Sequence, residues 1–224
     1  TPYEELFMAD NHQFFGKEII FLVPQDAVNI TSYGVTNYLI HAATSASSEK
    51  PNALYMDPTK LGISSGWGGL SLTYEFSDKF DLDKDDRAMF HTLFGQNIDN
   101  IYEFLTEDPS KMQTGYKSMK YSNMRSDGLP GASNEGGRVD TDYPLFRSAD
   151  AYLMLAECAV RDAADKTEGL NAINAVRQRA GLEALATCSL EEVLDERARE
   201  MFWEGHRRTD LIRFGKFVSG YNWQ

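Results

Sequence analysis

The sequence predicts a mainly α protein: paired helices fill its C-terminal part, and a loop-rich region with a few short strands precedes them. Three observations lead there. From Ser148 onward, apolar residues recur at helical spacing through three successive segments. Thr44–Gly69 is rich in Ser, Gly, Pro and Asn, and Thr106–Pro144 shows little apolar periodicity, so both read as loop. The run KEIIFLV at Lys17–Val23 is β-branched and aromatic, and Pro24 closes it, which is the pattern of a short, largely buried strand.

Taken in order, Thr1-Pro2 with Glu4 and Glu5 reads as a capped helix start carrying Leu6, Phe7 and Met8. Ser32–Ala43 reads as a helix with Val35, Tyr38, Leu39 and Ala42 on its apolar face. Leu70–Phe80 is expected to be helical. The acidic turn SDKFDLDKDDR then caps a further helix around Asp86–Phe94 and pairs with Arg87. Asp81, Asp83 and Asp85 open like a calcium loop, but Asp86 stands where such a loop needs glycine and Thr92 where it needs a bidentate Glu. Ile101–Phe104 reads as a strand. Ser148 caps a helix bearing Tyr152, Leu153, Leu155, Ala156, Ala159 and Val160. Thr167–Ala180 forms a second helix, stopped by Gly181. Antiparallel pairs with such faces resemble a helical-repeat unit, which needs neighbours to bury its apolar side.

The third helical segment, Ser189–Lys216, combines a capping box (Ser189 with Glu192) with an apolar stripe of Leu190, Val193, Leu194, Ala198, Met201 and Phe202. Gly205 ends the run, and Arg207–Phe214 forms a short helix after it. Glu196 and Glu200 lie at i,i+4 on one face, the spacing that acid–base chemistry would need. The same residues with Arg197, Arg207, Asp210 and Arg213 also suit ion-pair bracing, for which arginine supplies bidentate geometry. Bracing is the expected role, because charged helix faces usually form supporting pairs.

The formal net charge of -12 opposes nonspecific binding to nucleic acid or to anionic membrane surfaces. The longest apolar run, Ile19–Val23, is far too short to span a bilayer. With no initiator Met and no signal peptide, a processed chain or part of a longer one is expected. Cys158 and Cys188 show no metal-ligand spacing and are expected as buried thiols rather than a disulfide. His12, His41, His91 and His206 are scattered without an H-E-x-x-H pattern, so neither a metal nor a cofactor is expected. Nucleophile-elbow, phosphate-loop and dinucleotide fingerprints are missing from the sequence. Trp67, set in SSGWGG, has a ring that glycine neighbours leave approachable, and such a ring can stack on a sugar or anchor a loop.

Three blocks in order carry a family resemblance: PLFRSADAYLMLAECAV, LNAINAVRQRAGL and LDERAREMFWEGHRRTDLIRFGKF. They resemble the C-terminal region of the SusD/RagB family of nutrient-binding outer-membrane lipoproteins of the Bacteroidetes. Leu153, Ala156 and Glu157 match its Leu-x-x-Ala-Glu pattern. Asn174–Gly181 match Asn-x-Val-Arg-x-Arg-Ala-Gly, and Glu196–Gly215 match its charged segment. Upstream, GKEIIF, SGWGGL, KFDLDKDDR and Lys120-Tyr121 resemble family segments in the same order.

The resemblance implies tetratricopeptide-like α–α helices as a scaffold (147–224) supporting a loop-rich ligand-binding subdomain (1–146), together one structural unit of a longer chain. It also implies non-catalytic capture of a glycan at the cell outer membrane. Attachment would be by an N-terminal lipid of the longer chain, beside a SusC-like TonB-dependent transporter. A helical protein-interaction scaffold without a sugar site, or a carbohydrate-active enzyme, are the alternatives. Ligand sites in this family are built from loop aromatics, so Trp67, Tyr55, Tyr74 and Asn123 are the candidate ligand residues.

Overall fold

The computed structural model describes residues 2–30, 32–44, 57–68, 70, 72–91, 116–132 and 137–218. The expected Ile101–Phe104 strand lies outside them. Four short strands and six α-helices are described: β1 (Ile19–Val23), α1 (Val35–Ala43), α2 (Tyr74–Ser77), β2 (Phe90–His91), β3 (Lys117–Ser118), β4 (Tyr143–Arg147), α3 (Ser148–Val160), α4 (Lys166–Arg179), α5 (Leu190–Met201) and α6 (Arg207–Arg213). Single 3-10 turns cover Glu4–Phe7, Asn11–Phe14 and Pro58–Leu61. The fold is mainly α, with helices paired as in tetratricopeptide-like scaffolds.

The helical part follows from its sequence signals. Asp165 caps α4 by accepting from the Thr167 and Glu168 amides. Ser189 and Glu192 close the capping box of α5 reciprocally. Ser148 is the first residue of α3 rather than its cap, and its hydroxyl donates to Glu18 at 2.6 Å. Only a short connection joins α3 to α4, which returns the chain antiparallel. The two helices approach closely at Gly169, where a Cβ would stand 2.1 Å from that of Ala159. Leu153, Ala156, Ile173, Val176, Val193 and Met201 fill the seam with α5. Each large apolar side chain buried there contributes ~1.5–3 kcal/mol.

A second core gathers Leu6, Phe7, Ile19, Ile40, Leu61, Tyr121 and Val139 from the loop-rich region. A third joins Leu72, Phe80 and Tyr116 to Phe202, directly after α5. The loop-rich region therefore rests on the helices through the C-terminal end of α5.

Several expected elements differ. β1 pairs antiparallel with β4 in a two-stranded ribbon with irregular register, and Ile20, Phe21 and Val23 are exposed, so the strand is not largely buried. A two-stranded ribbon leaves one face open unless another layer covers it. Helix α1 exposes Val35 and Tyr38 and buries Thr36, Asn37 and His41 beside Leu39 and Ile40; the Asn37 and His41 side chains have hydrogen-bond partners inside. The Leu70–Phe80 helix shrinks to one turn. Of the helix expected around Asp86–Phe94, the described residues 86–91 form none: turns lead into β2, which pairs with β3. Asp85 folds back on Arg87 in place of capping a helix. The two cysteines are free, and Cys158 is exposed rather than buried. Among the described residues, no helix is long and apolar enough to cross a membrane.

Candidate ligand-binding site

The loop bearing Trp67 is built onto the C-terminal end of α1. A helix ends with carbonyls that have no partner within it. Here the His41 carbonyl accepts from the Trp67 amide at 2.8 Å, and the Ala42 carbonyl accepts from Leu70 at 3.2 Å. Gly66 is required by this approach, since a Cβ would meet the Thr44 hydroxyl at 2.0 Å. The glycines flanking Trp67 thus bring the loop down on the helix and leave the ring above it.

The indole stacks on the buried His41 imidazole, with centroids 4.4 Å apart and planes 15° from parallel. Tyr33 meets it edge-on at 6.0 Å. Trp67 is 47% exposed and Tyr33 58%. One indole face is fixed from below, and the ring remains open to solvent, an arrangement suited to a sugar's apolar face. A structural anchor would instead be buried.

His41 is held at both nitrogens, Nδ1 at 2.8 Å from the Ser65 carbonyl and Nε2 at 2.6 Å from that of Gly137. The doubly protonated ring donates to both; a neutral ring donates to only one. Asn37, one turn earlier, clasps the same strap: its amide donates to the Gly137 carbonyl at 3.2 Å and its oxygen accepts from the Val139 amide at 3.1 Å. Arg138, between those two anchors, lies over the Tyr33 ring with its guanidinium carbon 5.6 Å from the centroid.

The other sequence candidates fall elsewhere. Asn123 is buried: its amide donates to Gly62 and Ala132 carbonyls, and its oxygen accepts from the Asp140 amide. Its capacity is spent on the backbone, so the ligand role expected of it is corrected to that of a loop clasp. Tyr74 opens α2, and Tyr55 lies outside the described residues. His41, Tyr33, Asn37 and Arg138 were not singled out as site residues. The signal for two of them was present: Asn37 and His41 share, at i,i+4, the face of α1 that also carries Ile40.

The charged residues of α5 form a separate, internal cluster. Glu196 accepts from Arg87 at 2.6 Å, Arg199 at 2.6 Å and Arg177 at 2.9 Å. Glu200 accepts from Arg147 at 2.9 Å, Arg87 at 3.2 Å and also Arg179. Arg147 grips Glu204 through two bonds of 2.7 Å, and Lys120 reaches Glu204 at 2.6 Å. Arg197 joins Asp150 to Asp210, and Arg213 joins Asp210 to Glu157. Arg207 donates to the Leu194 carbonyl at 3.4 Å.

Burial pushes the Glu200 carboxyl upward, but Arg147, Arg179 and Arg87 outweigh it and hold it well below the usual carboxylate range. Glu196 is lowered in the same way against burial by Arg87 and Arg199, and Glu204 by Arg147 and Lys120. Carboxylates held ionised and fully hydrogen-bonded cannot serve as general acids. Among the described residues, no group of His, Cys, Asp and Glu is arranged to hold a metal ion. Two cavities, one lined by Glu18, Ser148, Tyr152 and Arg179 and one by Val160, Leu170 and Cys188, both lie away from Trp67.

Residues 105–224 match the SusD family profile, and the chain belongs to the SusD family. It is 32% identical to the starch-binding protein SusD of Bacteroides thetaiotaomicron, an alignment covering 100% of this chain and 46% of that protein. Among solved structures it is similar to surface glycan-binding protein A of Bacteroides thetaiotaomicron in complex with laminarihexaose. The TM-score there is 0.66 at 20% identity, over 96% of this chain and 46% of that one. A laminarin-binding SusD-like protein gives 0.60 at 24% identity, over 96% of this chain and 45% of that one. The chain therefore spans about half the length of the relatives it matches.

Proposed function

We propose that this chain is part of a non-catalytic glycan-binding component of an outer-membrane nutrient-uptake complex. The observation that carries the reading is the half-exposed Trp67 ring, seated on His41 and bordered by Tyr33. A pyranose laid on the indole would be held by stacking, and by hydrogen bonds from the polar groups around it. Relatives named for starch and glycan binding support the ligand class. The locking of Glu196, Glu200 and Glu204 by cations supports binding without hydrolysis. Attachment through an N-terminal lipid of a longer chain, exposure at the cell surface and pairing with a SusC-like TonB-dependent transporter complete the proposal. Tyr55 and Tyr74 remain candidate contacts within it. Residues 1–146 and 147–224 act in it as a loop-rich binding part and a helical support.

The test is a glycan array followed by calorimetry on the best binder. Binding that is lost in Trp67→Ala, with no release of reducing ends, is expected. Unchanged binding in Trp67→Ala, or hydrolysis of the glycan, overturns it. A second reading, a docking scaffold without a sugar site, draws on the exposed Ile20, Phe21, Leu145 and Phe146 of the β1–β4 ribbon. Co-purification with a transporter while the array stays silent would favour it.

A further inference from the structure

The strap carrying Arg138 adds to the aromatic platform a charge that lies over the Tyr33 ring and that no carboxylate among the described residues neutralises. Asn37 and His41 fix the backbone on both sides of residue 138. The side chain is thereby presented over Tyr33, which in turn abuts Trp67. Among the described residues the Arg138 guanidinium makes no ion pair, and its Nε–H has no acceptor. The nearest acid along the strap, Asp140, is occupied: its two oxygens accept from the Ala27 amide at 2.9 Å and the Ala132 amide at 2.6 Å.

This contrasts with the arginines of the interior, such as Arg87 and Arg147, each bound to several carboxylates. A guanidinium offers a planar fork of donors that matches carboxylate and sulfate oxygens, and it binds them more strongly than it binds neutral hydroxyls. Beside a sugar-stacking ring, such a group discriminates by charge.

We propose that Arg138 makes this platform selective for glycans bearing an anionic group, a uronate carboxylate or a sulfate ester, which docks on its guanidinium while a ring stacks on Trp67. This rests on the platform reading above. The net charge of -12 repels polyanions at a distance, so the preference is a contact effect and is best measured at about 0.15 M salt, where the screening length is ~8 Å.

Two matched pairs of probes separate the anion's sources: a galacturonate hexamer against its methyl ester, and a sulfated galactan hexamer against its desulfated form. Calorimetry on the protein is expected to show one charged probe bound about tenfold more tightly than its neutralised twin, the effect of one charge-assisted hydrogen bond. Arg138→Gln is expected to bring that ratio to about one, and Arg138→Lys to keep part of it. Equal or tighter binding of both neutralised probes, no binding of any probe, or a ratio unaltered in Arg138→Gln overturns the proposal. Trp67→Ala separates the two claims. If it abolishes binding while Arg138→Gln leaves the ratio unaltered, the platform stands and the anion preference falls. If it leaves binding intact while Arg138→Gln removes the preference, the anion contact stands and the stacking platform falls.

Discussion

The interior around α5 and the platform around Trp67 use polar chemistry in opposite ways. In the interior, Arg87, Arg147, Glu196, Glu200 and Glu204 are fully buried, and each charge meets opposite charges on neighbouring elements. On the platform, one aromatic ring is fixed from below and open above, and one guanidinium has no carboxylate partner among the described residues. Density of charge therefore marks the part that holds the fold together. An open ring face and a guanidinium without a carboxylate partner among the described residues mark the part that has something left to offer a ligand.

The largest effects are expected where a buried partner is removed. Arg147→Met strands Glu200 and Glu204 without their main counter-ion, and breaking a buried pair costs ~3–5 kcal/mol. Urea denaturation checks this; a loss below about 1 kcal/mol would show that the cluster relaxes or hydrates, and would blur the contrast with the platform. Replacing several members together with apolar residues of similar volume is expected to cost less than that single change, because no uncompensated charge remains.

Acid acts on the same cluster. Glu196, Glu200 and Glu204 have native proton affinities below the ordinary carboxylate range. Within the window between those depressed values and the ordinary range, the unfolded chain binds more protons than the native one. Their stabilising contribution is thus present above the ordinary range and is lost as pH falls through it. Thermal melts should fall steeply between about pH 5 and pH 3. A flat profile over that window would contradict the paired geometry.

A smaller effect belongs to the helix start. Ser189→Ala removes one half of the capping box on α5 and should cost about 1 kcal/mol in the same denaturation assay, without altering ligand binding. Altered binding would mean that α5 and the platform are more tightly coupled than their separation suggests.

The helices were legible because their signals are local. Ser189 with Glu192, the stripe through Val193 and Met201, and the Asp-to-Thr start of α4 need nothing beyond neighbouring residues. The partners of Glu196 and Glu200 were not legible, because Arg87, Arg147 and Arg179 arrive from distant segments. The same holds for the platform. Trp67 showed through its glycines, but its seat on His41 and the strap with Arg138 exist only once the chain has folded. Helix α1 misled for a related reason: Asn37 and His41 face inward to hold that strap, so apolar periodicity assigned the wrong face. Asn123 misled because a polar loop residue can be spent on backbone groups of neighbouring loops.

The most direct test of the contrast measures both properties on one variant. Trp67→Ala should weaken binding of an array-selected oligosaccharide by about tenfold or more in calorimetry, while its urea midpoint stays near that of the unaltered protein. Binding retained at full strength, or a loss of binding matched by a collapse in stability, would contradict the assignment of Trp67 to the ligand rather than to the fold.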